Sequence, residues 1–418
     1  MTSYKFLLDL ALILISTKLL GLISSKFKMP QVVGALLAGL VLGPAFLGLI
    51  SETTFIESTA EIGVIVLMFC AGLETDVQEL KKCGKASLVI AILGVLFPLA
   101  GGFAVAWFFI GNGRILSDAG STLFLQCIFI GVILTATSVS ITVETLKELG
   151  KLKTRSGNAI LGAAIIDDII GIVALTIVTS MADSSTNIGL VLGKIVAYFI
   201  FAGAAGFLFF KVYSYWSEKS AKGLHRHAIV AFVFCLLMSY IAEHYFGVAD
   251  ITGAFIAGLI ISKTEKSEFL TSKFDVLSYL YLSPIFFASI GIKVIIPEMS
   301  AMVIWFAVAM VLIAIFTKIV GCGLGAKICK YKNYQAIRIG VGMISRGEVA
   351  LIVAAKGEKL GLISSDCLGP VVLVVVITTI VTPILLKPVF KLGPTTIAVK
   401  DNEGVSKKMD QVELIRER

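Results

Sequence analysis

Apolar stretches about as long as a bilayer is thick recur along nearly the whole chain, and they limit its fold more than any other feature. Runs of about 17–25 apolar residues are what a helix needs to cross the hydrocarbon core. Reading for them gives about thirteen segments: 5–24, 31–50, 57–74, 86–111, 122–146, 157–181, 188–212, 227–246, 250–263, 276–295, 302–327, 335–356 and 367–391. In lipid every backbone polar group must be satisfied internally, so such segments are helices. The expected fold is an all-α polytopic membrane protein. With 57% of residues hydrophobic, 15% charged and a mean hydropathy of +0.96, an ordinary soluble domain is excluded.

The short connections carry their cations on alternate sides. Lys26 and Lys28, then Lys81, Lys82 and Lys85, then Lys147, Lys151, Lys153 and Arg155 fall in the first, third and fifth. Lys219, Lys222 and Arg226, then Lys263, Lys266 and Lys273, then Lys327, Lys330 and Lys332 continue the series. Even connections such as 51–61, 181–187 and 243–250 are poor in Lys and Arg, with Lys356 and Lys359 as exceptions. The positive-inside rule then puts the N-terminus outside and the C-terminus in the cytoplasm of a cell in whose plasma membrane the chain sits. The net charge of +8 is explained by these loops and calls for no nucleic-acid partner. The first segment contains Asp9 and Lys18 and no small-residue cleavage site, so it reads as a retained span rather than a signal peptide. The seven cysteines form no CxxC and the histidines no HExxH, so neither a disulfide framework nor a zinc site or other cofactor is expected. One transmembrane domain is expected over 1–394, followed by a short charged cytoplasmic tail, 395–418.

Asp167 and Asp168 stand in the middle of the sixth segment, in AIIDDIIGIV. A carboxylate at the bilayer centre costs at least about 2.5–3.5 kcal/mol, so such a pair marks a functional site. An internal duplication frames it. GALLAGLVLGP from Gly34 and GAFIAGLIIS from Gly253 match at an offset of 219, and the same offset carries Gly72 onto Gly291. Seven spans separate the matched segments, so the two copies, about 31–181 and 250–391, cross the membrane in opposite directions. Such an inverted repeat is the architecture of many secondary transporters; the plainer alternative is generic small-residue helix packing. Farther on, Gly150 aligns with Gly361 at an offset of 211, which places Thr378 and Thr379 where the other copy has Asp167 and Asp168.

Two segments read as interrupted helices. The fifth carries Thr135, Thr137, Ser138, Ser140 and Thr142 in an otherwise apolar run, and the twelfth buries Ser345, Arg346, Gly347 and Glu348. Unwound backbone at membrane depth is tolerated against protein or a water-filled cavity, where free carbonyls and helix ends meet ions. The two breaks are expected to cross near the midplane beside Asp167 and Asp168. The alternatives are hydroxyls bonded back to the preceding turn and a local ion pair between Arg346 and Glu348. Lys318 lies some eight residues inside its span, so it either snorkels or pairs with a carboxylate, for which Asp167 is preferred. Lys293, near the outer end of the tenth segment, is expected to snorkel.

Together, GALLAGLVLGP, FCAGLETD, TATSVSITVETLKELGKL, AIIDDIIGIV, the mid-span Lys318 and SRGEVALIVA resemble the monovalent cation:proton antiporter superfamily, in its branch of Nap-type and Kef-type exchangers. The resemblance runs over residues 5 to 391. It implies a thirteen-span fold, a six-span core that moves against a dimerisation domain, a homodimer, and the electrogenic kind of exchange that accompanies Asp-Asp with a lysine. It also implies that Asp168 binds the ion and that Asp167 pairs with Lys318. No Kef-type nucleotide-binding regulatory domain follows the spans, which argues against gating by nucleotide or glutathione.

A small hard cation prefers oxygen ligands, which Asp168 with Thr137 and Ser138, and secondarily Thr135, can supply. A carboxylate that holds either a cation or a proton enforces exchange when exposed to the two sides in turn. The expected partners are sodium, or lithium or potassium, with protons, and membrane lipids. A potassium/proton antiporter is the first alternative and a gated cation channel the second. An intramembrane aspartyl protease is disfavoured, since neighbours on one helix point about 100° apart and cannot share a proton face to face. The chain reads as a transporter and not an enzyme, with Arg346 and Glu348 left as secondary site candidates.

Overall fold

A computed structural model describes residues 4–27, 29–75, 77–115, 119–182, 188–219, 224–264, 266–294 and 299–393. The tail expected over 395–418 lies outside the described residues. In chain order the helices are α1 Lys5–Lys26, α2 Gln31–Leu42, α3 Thr54–Glu74, α4 Val77–Ala106 with a π-helical turn to Gly111, α5 Leu123–Thr135, α6 Val139–Glu148, α7 Arg155–Ala182 and α8 Ile188–Lys219. They continue with α9 Leu224–Phe246, α10 Asp250–Ile261, α11 Ser267–Leu277, a π-helical turn, α12 Ser283–Ile292, α13 Ala301–Ile328, α14 Asn333–Gly342, α15 Glu348–Lys359 and α16 Leu368–Val389. Among the described residues there is no strand. Among the described residues ten continuous or near-continuous helical stretches are long and apolar enough to cross a membrane; the short apolar α2 and α10 and the interrupted α14–α15 complete the thirteen segments.

Polar side chains start several of these helices. The hydroxyls of Thr53, Thr122 and Ser300 accept the N–H of Ile56, Leu125 and Val303 and so cap α3, α5 and α13. The second segment is shorter than the apolar run suggests, because α2 stops at Leu42. Pro44 disfavours helical geometry at Gly43, which is extended at φ −75°, ψ −179°. At 12 residues α2 rises about 18 Å, well short of a hydrocarbon core of about 30 Å. Its repeat mate α10 has the same length, and both are largely enclosed by other helices.

The repeat is visible in packing as well as in sequence. A β-carbon on Gly39 would overlap the Ala288 carbonyl, and one on Gly258 would overlap the Phe69 carbonyl. Adding the offset of 219 turns Gly39 into Gly258 and Phe69 into Ala288, so one contact is the other with the two copies exchanged. The helix ends repeat too. After α6, Gly150 (φ +66°) donates to Lys147 O and Lys151 to Leu146 O; after α15, Gly361 (φ +65°) donates to Glu358 O and Leu362 to Gly357 O. These are two copies of one glycine-dependent C-cap, 211 residues apart. Gly39→Ala cannot be absorbed by a side-chain rotation, since the obstacle is backbone. We expect it to lower unfolding stability by about 1–3 kcal/mol, seen as a lower melting temperature of the purified protein in detergent.

Around the acidic pair, α4 packs along α13, α7 and α5. Gly321 and Gly325 of α13 lie against Leu93 O and Ile90 Cα of α4, at 2.5 and 2.8 Å from where a β-carbon would stand. This close approach fixes the height of Lys318, one turn before Gly321, relative to α4.

Candidate ion-binding site

The two interruptions meet each other. The helix is open between Thr135 and Val139 in one copy and between Gly342 and Glu348 in the other. Ser138 N–H donates to the Ser345 carbonyl at 2.7 Å, and the Ser345 hydroxyl donates back to the Ser138 carbonyl at 2.8 Å. The Thr142 hydroxyl donates to the Gly342 carbonyl at 2.8 Å and lies 3.0 Å from Ser345 Oγ. Thr379 donates its hydroxyl to the Arg346 carbonyl at 2.5 Å, while Arg346 N–H donates to the Thr378 hydroxyl at 3.2 Å. Backbone groups freed by the breaks are thus met by hydroxyls, which is why Ser and Thr gather in these runs. A β-carbon at Gly347 would stand 2.8 Å from Ser138 Oγ, so glycine there leaves space for that serine.

Arg346 is fully buried at the crossing. Its Nη2 donates to Leu134 O at 2.7 Å, and its Nη1 donates to Ile344 O. Leu134 belongs to the last turn of α5 and Ile344 follows α14, so one guanidinium caps two helix C-termini whose carbonyls carry partial negative charge. Glu348 opens α15, but its side chain lies outside the described residues. Arg346→Met would leave two buried carbonyls without their donor, each worth about 1–3 kcal/mol. We expect a marked fall in melting temperature, partly restored by Arg346→Lys.

Beside the crossing, Lys318 Nζ lies 3.1 Å from both Oδ1 and Oδ2 of Asp167, and the Thr137 hydroxyl donates to Oδ2 at 2.6 Å. Lys318 has no exposed surface and Asp167 only 2%, so the lysine does not snorkel. The neighbouring carboxylate differs. Asp168 is half-buried, on a stretch of α7 from Ile165 to Thr176 that is partly accessible except at Asp167. Among the described residues no hydrogen bond or ion pair reaches its carboxylate. One acid is therefore neutralised in place and the next stands open.

Not every expected ligand turns toward Asp168. Thr137 serves Asp167, Ser138 Oγ faces Ser140 Oγ at 3.4 Å, and Thr135 donates back to Val132 O at 2.7 Å. Lys293 does not simply snorkel: it pairs with Glu52 at 3.1 Å and Glu57 at 3.6 Å, because the first turn of α3 and the residues before it bring both carboxylates to the C-terminal end of α12. Sequence reading missed Gly94, whose α carbon faces the Asp167–Lys318 pair; the available signal was a glycine inside a helical run, one of four in α4.

A cavity of about 630 Å³ opens among α1, α2, α6, α11 and α12, lined in part by Glu144, Lys147, Glu148 and Asp275. Across it Lys147 pairs with Glu74 at 3.2 Å and with Asp275, and the Glu148 carboxylate accepts the Gln31 N–H at 2.7 and 2.8 Å. The end of α6 is thereby tied to α2, α3 and α11.

The transmembrane model of the sodium/hydrogen exchanger family matches residues 11–392. The chain belongs to that family. Among relatives of this exchanger, the probable Na(+)/H(+) antiporter GerT of Bacillus cereus is 42% identical over 92% of this chain and 99% of its own length. The Na(+)/H(+)-K(+) antiporter GerN of the same organism is 37% identical over 93% and 97%, and a Na(+)/H(+) antiporter of Enterococcus hirae is 37% identical over 92% and 97%. The sodium proton antiporter MjNhaP1 of Methanocaldococcus jannaschii, seen by electron microscopy, shares the fold with a TM-score of 0.71 at 18% identity, over 94% of this chain and 98% of that one.

Proposed function

We propose that this family member exchanges a monovalent cation, sodium foremost, for protons across the plasma membrane by alternating access. The observation that carries the reading is the contrast at 167 and 168: a buried Asp167 held by Lys318 and Thr137, and next to it a carboxylate with no partner among the described residues. Asp168 holds a cation or a proton in turn. Carbonyls and hydroxyls of the α5–α6 break, Thr137 and Ser138 among them, complete the coordination once the site is loaded. If cation binding also draws Asp167 away from Lys318 and releases the lysine proton, the cycle moves net charge, and the two acids titrate as a coupled pair.

The remaining features follow from that reading. Residues 1–394 form the exchanger domain, with inverted copies over about 31–181 and 250–391 and a charged tail after them. The N-terminus lies outside and the C-terminus in the cytoplasm, because the Lys-rich connections then face inward. The cavity at Glu144, Lys147 and Glu148, at the end of α6 that leads into such a connection, is the cytoplasmic vestibule. The working unit is a homodimer in the lipid bilayer. Potassium is the alternative cation, since one relative's name includes it.

Proteoliposomes with an internal pH dye test the proposal. Sodium, lithium or potassium added outside is expected to drive coupled proton movement in a cation-specific way. Its response to an imposed membrane potential reports whether charge moves. Cation flux without proton coupling would point to a channel and overturn the carrier reading.

A further inference from the structure

Helix α4 touches the Asp167–Lys318 pair at Gly94. A β-carbon on Gly94 would stand 2.6 Å from Cys322 Sγ, 3.8 Å from Asp167 Oδ1 and 3.9 Å from Lys318 Nζ. The first distance is far inside contact, so the Cys322 thiol fills the volume that a side chain at 94 would need. Cys322 follows Lys318 by four residues on α13, which puts both on one face, and both are wholly buried. Gly321 and Gly325 already hold α13 against the α4 backbone. The thiol is therefore packed against α4 on the same face of α13 as the ammonium, where the close approach of the two helices leaves little room for it to move aside.

We propose that Gly94 is a positioning residue for exchange: by having no side chain it seats Cys322 against α4 and leaves Lys318 Nζ free both to hold Asp167 and to withdraw from it. The inference rests on the role proposed above for that pair. The charged and titratable groups facing one another here are Asp167 and Asp168 from α7, Lys318 and Cys322 from α13, and Arg346 from the break between α14 and α15. Thr137 adds a neutral hydroxyl, and α4 contributes bare backbone at Gly94. An alanine at 94 drives the thiol toward Lys318 and loosens the pair, whereas a smaller residue at 322 restores the space.

The test compares cation-driven proton flux across a pH series in proteoliposomes for the parent, Gly94→Ala, Cys322→Ala, the double variant and Gly101→Ala. Gly101 is the control, because a β-carbon there meets Thr317 Cγ2 at 2.7 Å and Ile313 Cγ2 at 2.8 Å on the same two helices, with no atom of Asp167, Lys318 or Cys322 among its nearest neighbours. Gly94→Ala is expected to slow exchange about ten-fold. It should also change the shape of the pH profile, because the ammonium no longer sits where it holds Asp167. The double variant should return to within about two-fold of the parent, and Gly101→Ala should lower the melting temperature without moving the profile. A Gly94→Ala profile that matches the parent or Gly101→Ala overturns the inference, as does a double variant no better than Gly94→Ala. If Gly94→Ala does not fold, the double variant decides, and its failure to fold counts against the proposal. A parent that exchanges no protons would instead remove the functional reading beneath it.

Discussion

Lys318→Met is expected to lower unfolding stability by about 3–5 kcal/mol near neutral pH, because it leaves a buried carboxylate charged and without its cation. Asp167 is 2% exposed, and after the substitution the Thr137 hydroxyl would be its one remaining hydrogen-bond donor among the described residues. The loss comes from the abandoned charge more than from the missing bond. Lys318→Met combined with Asp167→Asn, which removes both charges, should therefore recover most of the stability. Thermal unfolding in detergent measures both effects. A single-variant loss below about 1 kcal/mol, the usual worth of an exposed pair, would mean that the pair is solvated rather than buried.

Asp168→Asn is expected to behave in the opposite way. The amide keeps the size of the carboxylate but neither the charge that binds a hard cation nor the site that binds a proton. Exchange should fall at least about a hundred-fold, which corresponds to roughly 2.7 kcal/mol. Stability should hold or rise slightly, because no hydrogen bond or ion pair among the described residues depends on this carboxylate and a partly desolvated charge is removed. Adjacent residues of one helix thus separate two properties. Substitution of Lys318 harms fold and exchange together, and substitution of Asp168 harms exchange alone. Loss of both properties in Asp168→Asn would show that Asp168 has a structural partner.

What could be read from the sequence follows what lipid makes costly. Apolar length gave the thirteen segments, and the cost of an unpaired charge at membrane depth singled out Asp167, Asp168 and Lys318. The runs around Thr137 and Ser345 were legible because hydroxyls crowd where backbone is unwound. Details set by backbone approach were not. The apolar run continues past Leu42, and only the local geometry imposed at Gly43 by Pro44 shortens α2. Arg346 invited a carboxylate partner, but its observed acceptors are the Leu134 and Ile344 carbonyls, which carry no mark in the sequence. Lys293 read as a snorkelling residue because Glu52 and Glu57 are remote in sequence and adjacent only after α3 packs on α12. Gly94 could not be told from the other glycines of α4 for a related reason: a glycine matters through what fills the space beside it, and Cys322 comes from more than two hundred residues away.

The most direct measurement is proton release on cation binding. Purified protein in weakly buffered detergent solution is titrated with sodium chloride, and with choline chloride as control, while a pH dye counts protons. A carboxylate that holds either ion but not both should release about one proton per chain as sodium binds, rising if Lys318 gives up a second, and Asp168→Asn should abolish the release. Sodium binding without proton release, or release unchanged in Asp168→Asn, would contradict exchange at this carboxylate.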